Sequence, residues 1–282
     1  MDTEVTGSEP LKLGWFATGG GTTSPKLLGA TLDEIRSGRL NADVTVVFCN
    51  REPGEDDASD RYHALVRDAG LPLVTLSDQQ FRRQRGGEPA RKGAPLPAWR
   101  TDYDREVMRL LLPYPFDLGV LAGYKLIFGA EAANTWDLLN LHPAEPGGPK
   151  GIWQDVIWAL IENQAEHAGV MIHLATPELD EGPPVTYCTY PIRGPGFDPF
   201  WEQIEGRPPG AIRMSEGDGN PLFRTIREAG VAREIPLMVE TLRACADGRL
   251  RILDKQVIDR GGHPAAPVDL SPEIETLVTA NA

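Results

Sequence analysis

In the run Leu138-Leu139-Asn140-Leu141-His142-Pro143, Asn140 and His142 stand two residues apart in an extended segment. Strand side chains repeat every second residue, so the two face the same way. Pro143 ends the strand behind them. Further on, Val170-Met171-Ile172-His173 reads as a strand with a polar residue at its end. Glu178-Leu179-Asp180-Glu181-Gly182-Pro183 follows it as an acidic turn. An amide that donates, an imidazole that donates or accepts, and a carboxylate that accepts are components of acid–base chemistry. Taken singly, each motif has an ordinary structural reading: Asn-x-His as hydrogen-bonded packing, Asp-Glu-Gly as a turn. Their order and spacing together carry more.

Strands and helices must position these segments. Leu11–Ala17 is an apolar run that ends in Thr18-Gly19-Gly20-Gly21-Thr22-Thr23-Ser24-Pro25, and a helical pattern over 26–37 follows, with Gly38 just past its end. A second strand, 44–48, ends at Cys49-Asn50-Arg51; a helix over 59–69 is closed by Gly70, and 73–76 is a third strand. This alternation predicts a Rossmann-like, doubly wound, mostly parallel α/β sheet, with the ligand edge at the strand C-termini. Residues 82–98 break the pattern. Arg82-Arg83-Gln84-Arg85-Gly86-Gly87 and Arg91-Lys92-Gly93 make them basic and rich in Gly and Pro. They read as a mobile surface loop, either a solvated insertion or a flap that attracts an anion.

Helices over 102–112 and 151–164 and strands over 118–122 and 170–174 continue the order. A last helix over 232–246 has Pro236 in or near its first turn. The tail from Asp259 is rich in Pro and Gly and is expected to wrap the surface or be loose. The expected layout is a catalytic α/β domain over 11–193, with 194–282 a C-terminal helical and irregular extension packed on the same domain.

Composition narrows the function. The 282 residues, 41% of them hydrophobic, suffice for one α/β core with appendages. A formal net charge of −13 repels phosphate backbones and argues against a nucleic-acid partner. No stretch reaches the roughly 18 apolar residues of a membrane span. Met1 to Pro10 is acidic and polar, without the basic and apolar regions of a secretory signal, so a cytoplasmic location is expected. Cys49, Cys188 and Cys245 lie far apart and in no CxxC motif, which reads as reduced thiols. No clustered ligands suggest a metal site.

The order Asn140-Leu141-His142-Pro143, then Leu179-Asp180-Glu181-Gly182-Pro183, resembles the folate-dependent formyltransferase family. Leu121-Ala122-Gly123-Tyr124, Arg100-Thr101-Asp102-Tyr103-Asp104 and Asn50-Arg51 are similar to the family's pattern as well. The glycinamide ribonucleotide formyltransferases are the nearest branch. The resemblance runs from Leu11 to Ile192 and more weakly beyond. It implies transfer of a formyl group from 10-formyltetrahydrofolate to a primary amine, foremost glycinamide ribonucleotide in purine biosynthesis, without a metal. In that reading Asn140, His142 and Asp180 are catalytic. Asn140 and His142 donate to the oxyanion, Asp180 takes the amine proton, and His173 orients Asp180 or its water. The folate would meet Arg100, Leu126, Ile127, Phe128, Glu178, Leu179 and Gly182. A small, phosphorylated acceptor would meet Gly21, Thr22, Thr23, Pro143 and Glu234, with the glycine-rich loop at its phosphate. A homodimer is compatible with the resemblance.

The sequence also departs from the family. Gly21-Thr22-Thr23 replaces Gly-Ser-Asn, Lys125-Leu126-Ile127-Phe128 replaces Met-Arg-Ile-Leu, and Ala144-Glu145-Pro146-Gly147-Gly148-Pro149-Lys150-Gly151 replaces Ser-Leu-Leu-Pro after His-Pro. These changes keep other acceptors open, such as an amino sugar nucleotide. A hydrolase that deformylates the same folate would use the same three residues with water as acceptor. Its known members carry an N-terminal regulatory domain, whereas only about ten residues precede the first strand here. A non-catalytic folate- or nucleotide-binding protein would need no general base. A transfer-RNA formylating enzyme would need a sizeable basic C-terminal domain, which this acidic chain lacks.

Overall fold

Leu13, Trp15, Phe16 and Ala17 are all fully buried, the continuous apolar run of a strand covered on both faces. They belong to β1 (Leu11–Ala17). The structure is a computed structural model and describes residues 9–89, 95–177 and 181–280. It divides into two units. One holds the described residues up to Leu138 with Leu242–Arg251; the other holds Leu139–Thr241 with the described residues from Ile252 on.

In the first unit β1 is followed by α1 (Thr23–Arg36), β2 (Ala42–Cys49), α2 (Asp57–Asp68), β3 (Leu73–Thr75), α3 (Asp78–Gln84), α4 (Ala98–Leu111), β4 (Leu118–Leu121) and α5 (Ala130–Thr135). The four strands pair in parallel in the order β4-β1-β2-β3, with Trp15 opposite Val120 and Phe16 opposite Phe48. Asp56 caps α2 by accepting from the Ala58 and Ser59 N–H groups, both at 3.0 Å, and Ser77 caps α3 through Gln80 N–H at 3.1 Å. α4 buries Trp99, Tyr103, Val107 and Leu111, one residue per turn. Above β1 the rings of Phe16, Phe48, Phe116, Tyr124, Phe128 and Trp136 form one edge-to-face and tilted cluster.

The basic stretch begins differently from its sequence reading. Arg82 and Arg83 lie in α3, because buried Phe81 and the Ser77 cap hold that turn as helix. Residues 85–89 and 95–97 are irregular, and 90–94 lie outside the described residues.

The second unit carries β5 (Leu138–His142, from Leu139 on), α6 (Trp153–Glu162), β6 (His167–Leu174), β7 (Pro184–Pro191), α7 (Asp198–Ile204), α8 (Pro209–Glu216) and α9 (Pro221–Ala246, to Thr241). β8 (Leu250–Leu253) and β9 (Gln256–Asp259) form a two-stranded ribbon, and β10 (Val268–Asp269) and α10 (Ser271–Ala280) end the chain. Here the order is β5-β6-β7-β10, antiparallel from β5 to β7 and parallel at β7–β10. The sheet is thus mostly parallel, as the alternation of elements predicts, with a C-terminal helix and extension. Pro236 lies inside α9 rather than in its first turn. The helix starts at Pro221, and the Asn220 side chain before it caps it by accepting from Phe223 N–H at 3.1 Å. The tail is ordered by contacts that its composition hides: β10 pairs with β7, Ser271 Oγ accepts from Thr189 N–H at 2.9 Å, and Glu275 takes both prongs of Arg233 at 2.6 and 2.7 Å.

His63, on α2, is 1% exposed, and neither ring nitrogen has a hydrogen-bond partner. Burial holds its imidazole below the usual range, with Arg67 acting the same way and Asp60 and Glu52 opposing. Below about pH 6.5 the unfolded chain binds a proton that the folded chain excludes. The stability tied to neutral His63 is therefore complete above that pH and is lost as the pH falls toward the folded value. The melting temperature should decline from about pH 7.5 to about pH 5.5, and less steeply in His63→Leu. Identical slopes in the two proteins would assign the decline to other groups.

Candidate active site

β5 and β6 run antiparallel with Asn140 opposite His173 and His142 opposite Met171. That register sets an amide against an imidazole. Asn140 Nδ2 donates to His173 Nε2 at 3.0 Å. The other ring nitrogen, Nδ1, lies 2.9 Å from the Leu174 carbonyl, which can only accept. His173 therefore carries its proton on Nδ1 and accepts at Nε2. Buried His173 holds the Asn140 amide; its expected partner Asp180 lies outside the described residues. One N–H of the Asn140 amide is used in this bond, and the second is left for another acceptor.

His142 is buried at the end of β5, and its Nε2 lies 2.8 Å from the Pro149 carbonyl. By the same reasoning Nε2 carries a proton and donates to that carbonyl. Half-buried Pro143 starts the turn that returns Pro149 to His142. The turn is tightened by Gly148 N–H donating to Glu145 O at 2.9 Å and by Gly147 at φ +82°.

Of the acidic segment, Glu178, Leu179 and Asp180 lie outside the described residues; Glu181 and Gly182 are within them. Glu181 Oε1 accepts from Lys150 Nζ at 2.9 Å. The Gly182 backbone presses on the end of β6, where a Cβ would come within 1.7 Å of Leu174 O. Leu174 N–H donates to Pro183 O at 3.0 Å and fixes the approach.

The expected folate segment lies in the first unit. Arg100 is 1% exposed and turns inward. Its Nη2 donates to Asp104 Oδ1 and to Ile127 O, each at 2.9 Å, while Asp104 Oδ2 accepts from Gly129 N–H at 2.7 Å. Arg100 thus supports the backbone of 126–129 from beneath, and its charge is spent inside the protein. Phe128 is buried in a stack on Tyr124, at 5.0 Å and 19°, which leaves Leu126 and Ile127 half-exposed.

In the same unit, Gly21 and Thr22 are exposed and Thr23 half-buried at the start of α1. Thr22 makes no side-chain cap, and no acidic residue occupies the first turn. Lys125 N–H donates to Thr18 Oγ1 at 3.0 Å. Its ammonium stands 3.8 Å from where a Cβ on Gly20 would lie. A cation therefore stands over the glycine-rich loop. Sequence reading registered Lys125 only as a departure from the family; its spacing after Gly123 gave no sign that it reaches back to the first loop.

Glu234 is buried, and Arg227 Nη1 donates to its carboxylate while lying 4.7 Å above the Trp153 ring. Its charge is compensated within the unit by Arg227. Burial pushes the Cys49, Cys188 and Cys245 thiols up to about 12, so none is a ready thiolate nucleophile. Among the described residues no group of three or more His, Cys, Asp or Glu side chains could hold a metal ion.

The sequence pattern of the formyl transferase family matches residues 18–194, and the chain belongs to that family. Two of its relatives are phosphoribosylglycinamide formyltransferases. That of Dictyostelium discoideum is 29% identical over 177 residues, covering 58% of this chain and 78% of the relative. That of Schizosaccharomyces pombe is 28% identical over 184 residues, covering 62% and 80%. Among solved structures, the phosphoribosylglycinamide formyltransferase of Coxiella burnetii shares the fold, with a TM-score of 0.64, 20% identity, and 93% and 99% of the two chains covered. A formyltetrahydrofolate deformylase from Burkholderia mallei shares it as well, with a TM-score of 0.57, 16% identity, and 89% and 70% covered.

Gly182→Ala would force a methyl group onto Leu174 O. Overpacking of this kind costs about 1–3 kcal/mol, and the carbonyl cannot yield without disturbing its bond from His173. Urea unfolding should show a lower midpoint than wild type. An unchanged midpoint would mean that the segment after Glu181 is not fixed against β6.

Proposed function

We propose that the protein transfers the formyl group of 10-formyltetrahydrofolate to the primary amine of glycinamide ribonucleotide, a step of purine biosynthesis carried out in the cytoplasm. The observation that carries this reading is the pair Asn140 and His142 at the end of β5, with the Asn140 amide oriented by His173 and the His142 tautomer set by the Pro149 carbonyl. The names and lengths matched among the relatives support the acceptor. The ammonium of Lys125 above the glycine-rich loop supports a phosphorylated one, since it adds charge to the free N–H groups of the helix start.

In this mechanism the amine nitrogen attacks the formyl carbon and the carbonyl oxygen becomes an oxyanion. The second N–H of Asn140 donates to that oxygen, and protonated His142 donates to it as well. Asp180 accepts a proton from the attacking amine, directly or through water. The tetrahedral intermediate then collapses, the bond to the folate nitrogen breaks, and that nitrogen takes the proton that Asp180 received from the amine. The products are tetrahydrofolate and the formamide. Leu126 and Ile127, half-exposed and with the Ile127 carbonyl held by Arg100, meet the folate. Glu178, Leu179 and Gly182 flank the folate on the acidic side, and Gly21, Thr22 and Thr23 meet the acceptor phosphate.

The test is release of tetrahydrofolate by purified protein given 10-formyltetrahydrofolate, with and without glycinamide ribonucleotide. Release that requires the amine and yields its formamide is expected. Release at the same rate without amine would identify a deformylase instead. Asn140→Ala, His142→Ala and Asp180→Asn should each lower kcat by about a hundredfold or more, with combined losses smaller than the product of the single ones. Near wild-type turnover by Asp180→Asn would remove it from the chemistry.

A further inference from the structure

We propose that the Lys150–Glu181 ion pair is a strut that holds the catalytic side chains in register. Lys150 and Glu181 are then positioning residues for the reaction, a role that rests on the formyl-transfer reading above. Asn140 donates to His173, and His173 donates to the Leu174 carbonyl. That carbonyl is packed against Gly182, the residue after Glu181. Glu181 is joined to Lys150 at 2.9 Å. Pro149, the residue before Lys150, accepts from His142, which stands two positions from Asn140 on β5. The contacts form a ring that encloses the end of β5.

The links of this ring differ in kind. Those through Asn140, His173, Leu174 and His142 join half-buried or buried side chains to one another or to backbone. The Lys150–Glu181 link is exposed, with 59% and 55% of the two side chains open to solvent. Within the ring, it joins the turn after His142 to the segment that leaves Asp180. That turn is soft by composition: Gly147 and Gly151 adopt φ of +82° and +108°, and Gly148 lies between them. The strut braces the turn that carries the Pro149 carbonyl, beside the packing of Glu145 on Gly169.

An exposed pair contributes little to global stability. Catalysis responds more steeply, because small misplacements of acid–base groups cost rate. The pair lies in solvent, so salt should weaken it. This separates a positioning role from a structural one. Losing the strut should lower kcat and leave the melting temperature unchanged.

The experiment compares Lys150→Glu, Glu181→Lys and the double exchange with wild type. It measures kcat, KM for each substrate, melting temperature, and hydrogen exchange in the segment 143–152. Each single reversal should lower kcat about three- to tenfold and leave KM for the folate unchanged. Hydrogen exchange in 143–152 should quicken. The double exchange, which restores opposite charges across the same gap, should recover most of both. Wild-type kcat should fall with added salt more than that of the single variants. Singles with wild-type kcat, or a loss that the double exchange does not recover, would overturn the proposal. A matching fall in melting temperature would overturn it as well, in favour of a structural role. If the wild-type protein transfers no formyl group to the amine, the functional reading fails by itself. The exchange data then decide the strut alone: unchanged exchange in both reversals would reject it.

Discussion

The hydrogen bond from Asn140 to His173 is the constraint on which the site depends. A primary amide rotates freely about its last bond unless something holds it, and an oxyanion donor that rotates is of little use. The antiparallel register of β5 and β6 supplies the holder, because it brings His173 opposite Asn140. The Leu174 carbonyl then fixes the ring of His173 and the nitrogen that carries its proton. Strand pairing thus becomes the orientation of one N–H bond. His142 is treated similarly by a backbone carbonyl from the turn after it. Both polar groups meet neutral acceptors, the His173 ring nitrogen and the Pro149 carbonyl.

Charge is handled differently in the first unit. Arg100 and Asp104 are both buried, a costly arrangement unless each is fully engaged. Each also holds a backbone group, Arg100 the Ile127 carbonyl and Asp104 the Gly129 N–H at the start of α5. The pair thereby shapes an irregular segment that neither helix nor strand would define. Glu234 follows the same rule in the second unit, where Arg227 and the Trp153 ring compensate its charge. Arg100 and Glu234, which the family likeness marks as ligand contacts, are both buried and ion-paired within their own units.

Much of the fold was legible because hydrophobic periodicity reports burial directly. The runs at 11–17 and 44–48 and the alternation with helices gave the parallel strands of the first unit. Asn140 and His142 were legible as a pair because strand period fixes their common face. What stayed hidden depends on long-range contacts. The helical state of Arg82 and Arg83 follows from a cap at Ser77 and the buried Phe81, which local charge obscures. The length of α9 was masked by Pro236 and Gly230, residues that usually interrupt a helix but are tolerated in this one. β10 and α10 are stabilised by Thr189 and Arg233, distant in sequence. The partnership of Asn140 with His173 needed the register, and no pattern in either strand announces it.

The most direct test of this account is a double-mutant cycle between Asn140 and His173, read in kcat/KM for formyl transfer. If His173 acts by orienting the Asn140 amide, His173→Ala should cost about tenfold in the wild-type background and almost nothing once Asn140 is alanine. Equal losses in the two backgrounds would contradict it, since His173 would then act on the reaction independently of the amide it holds.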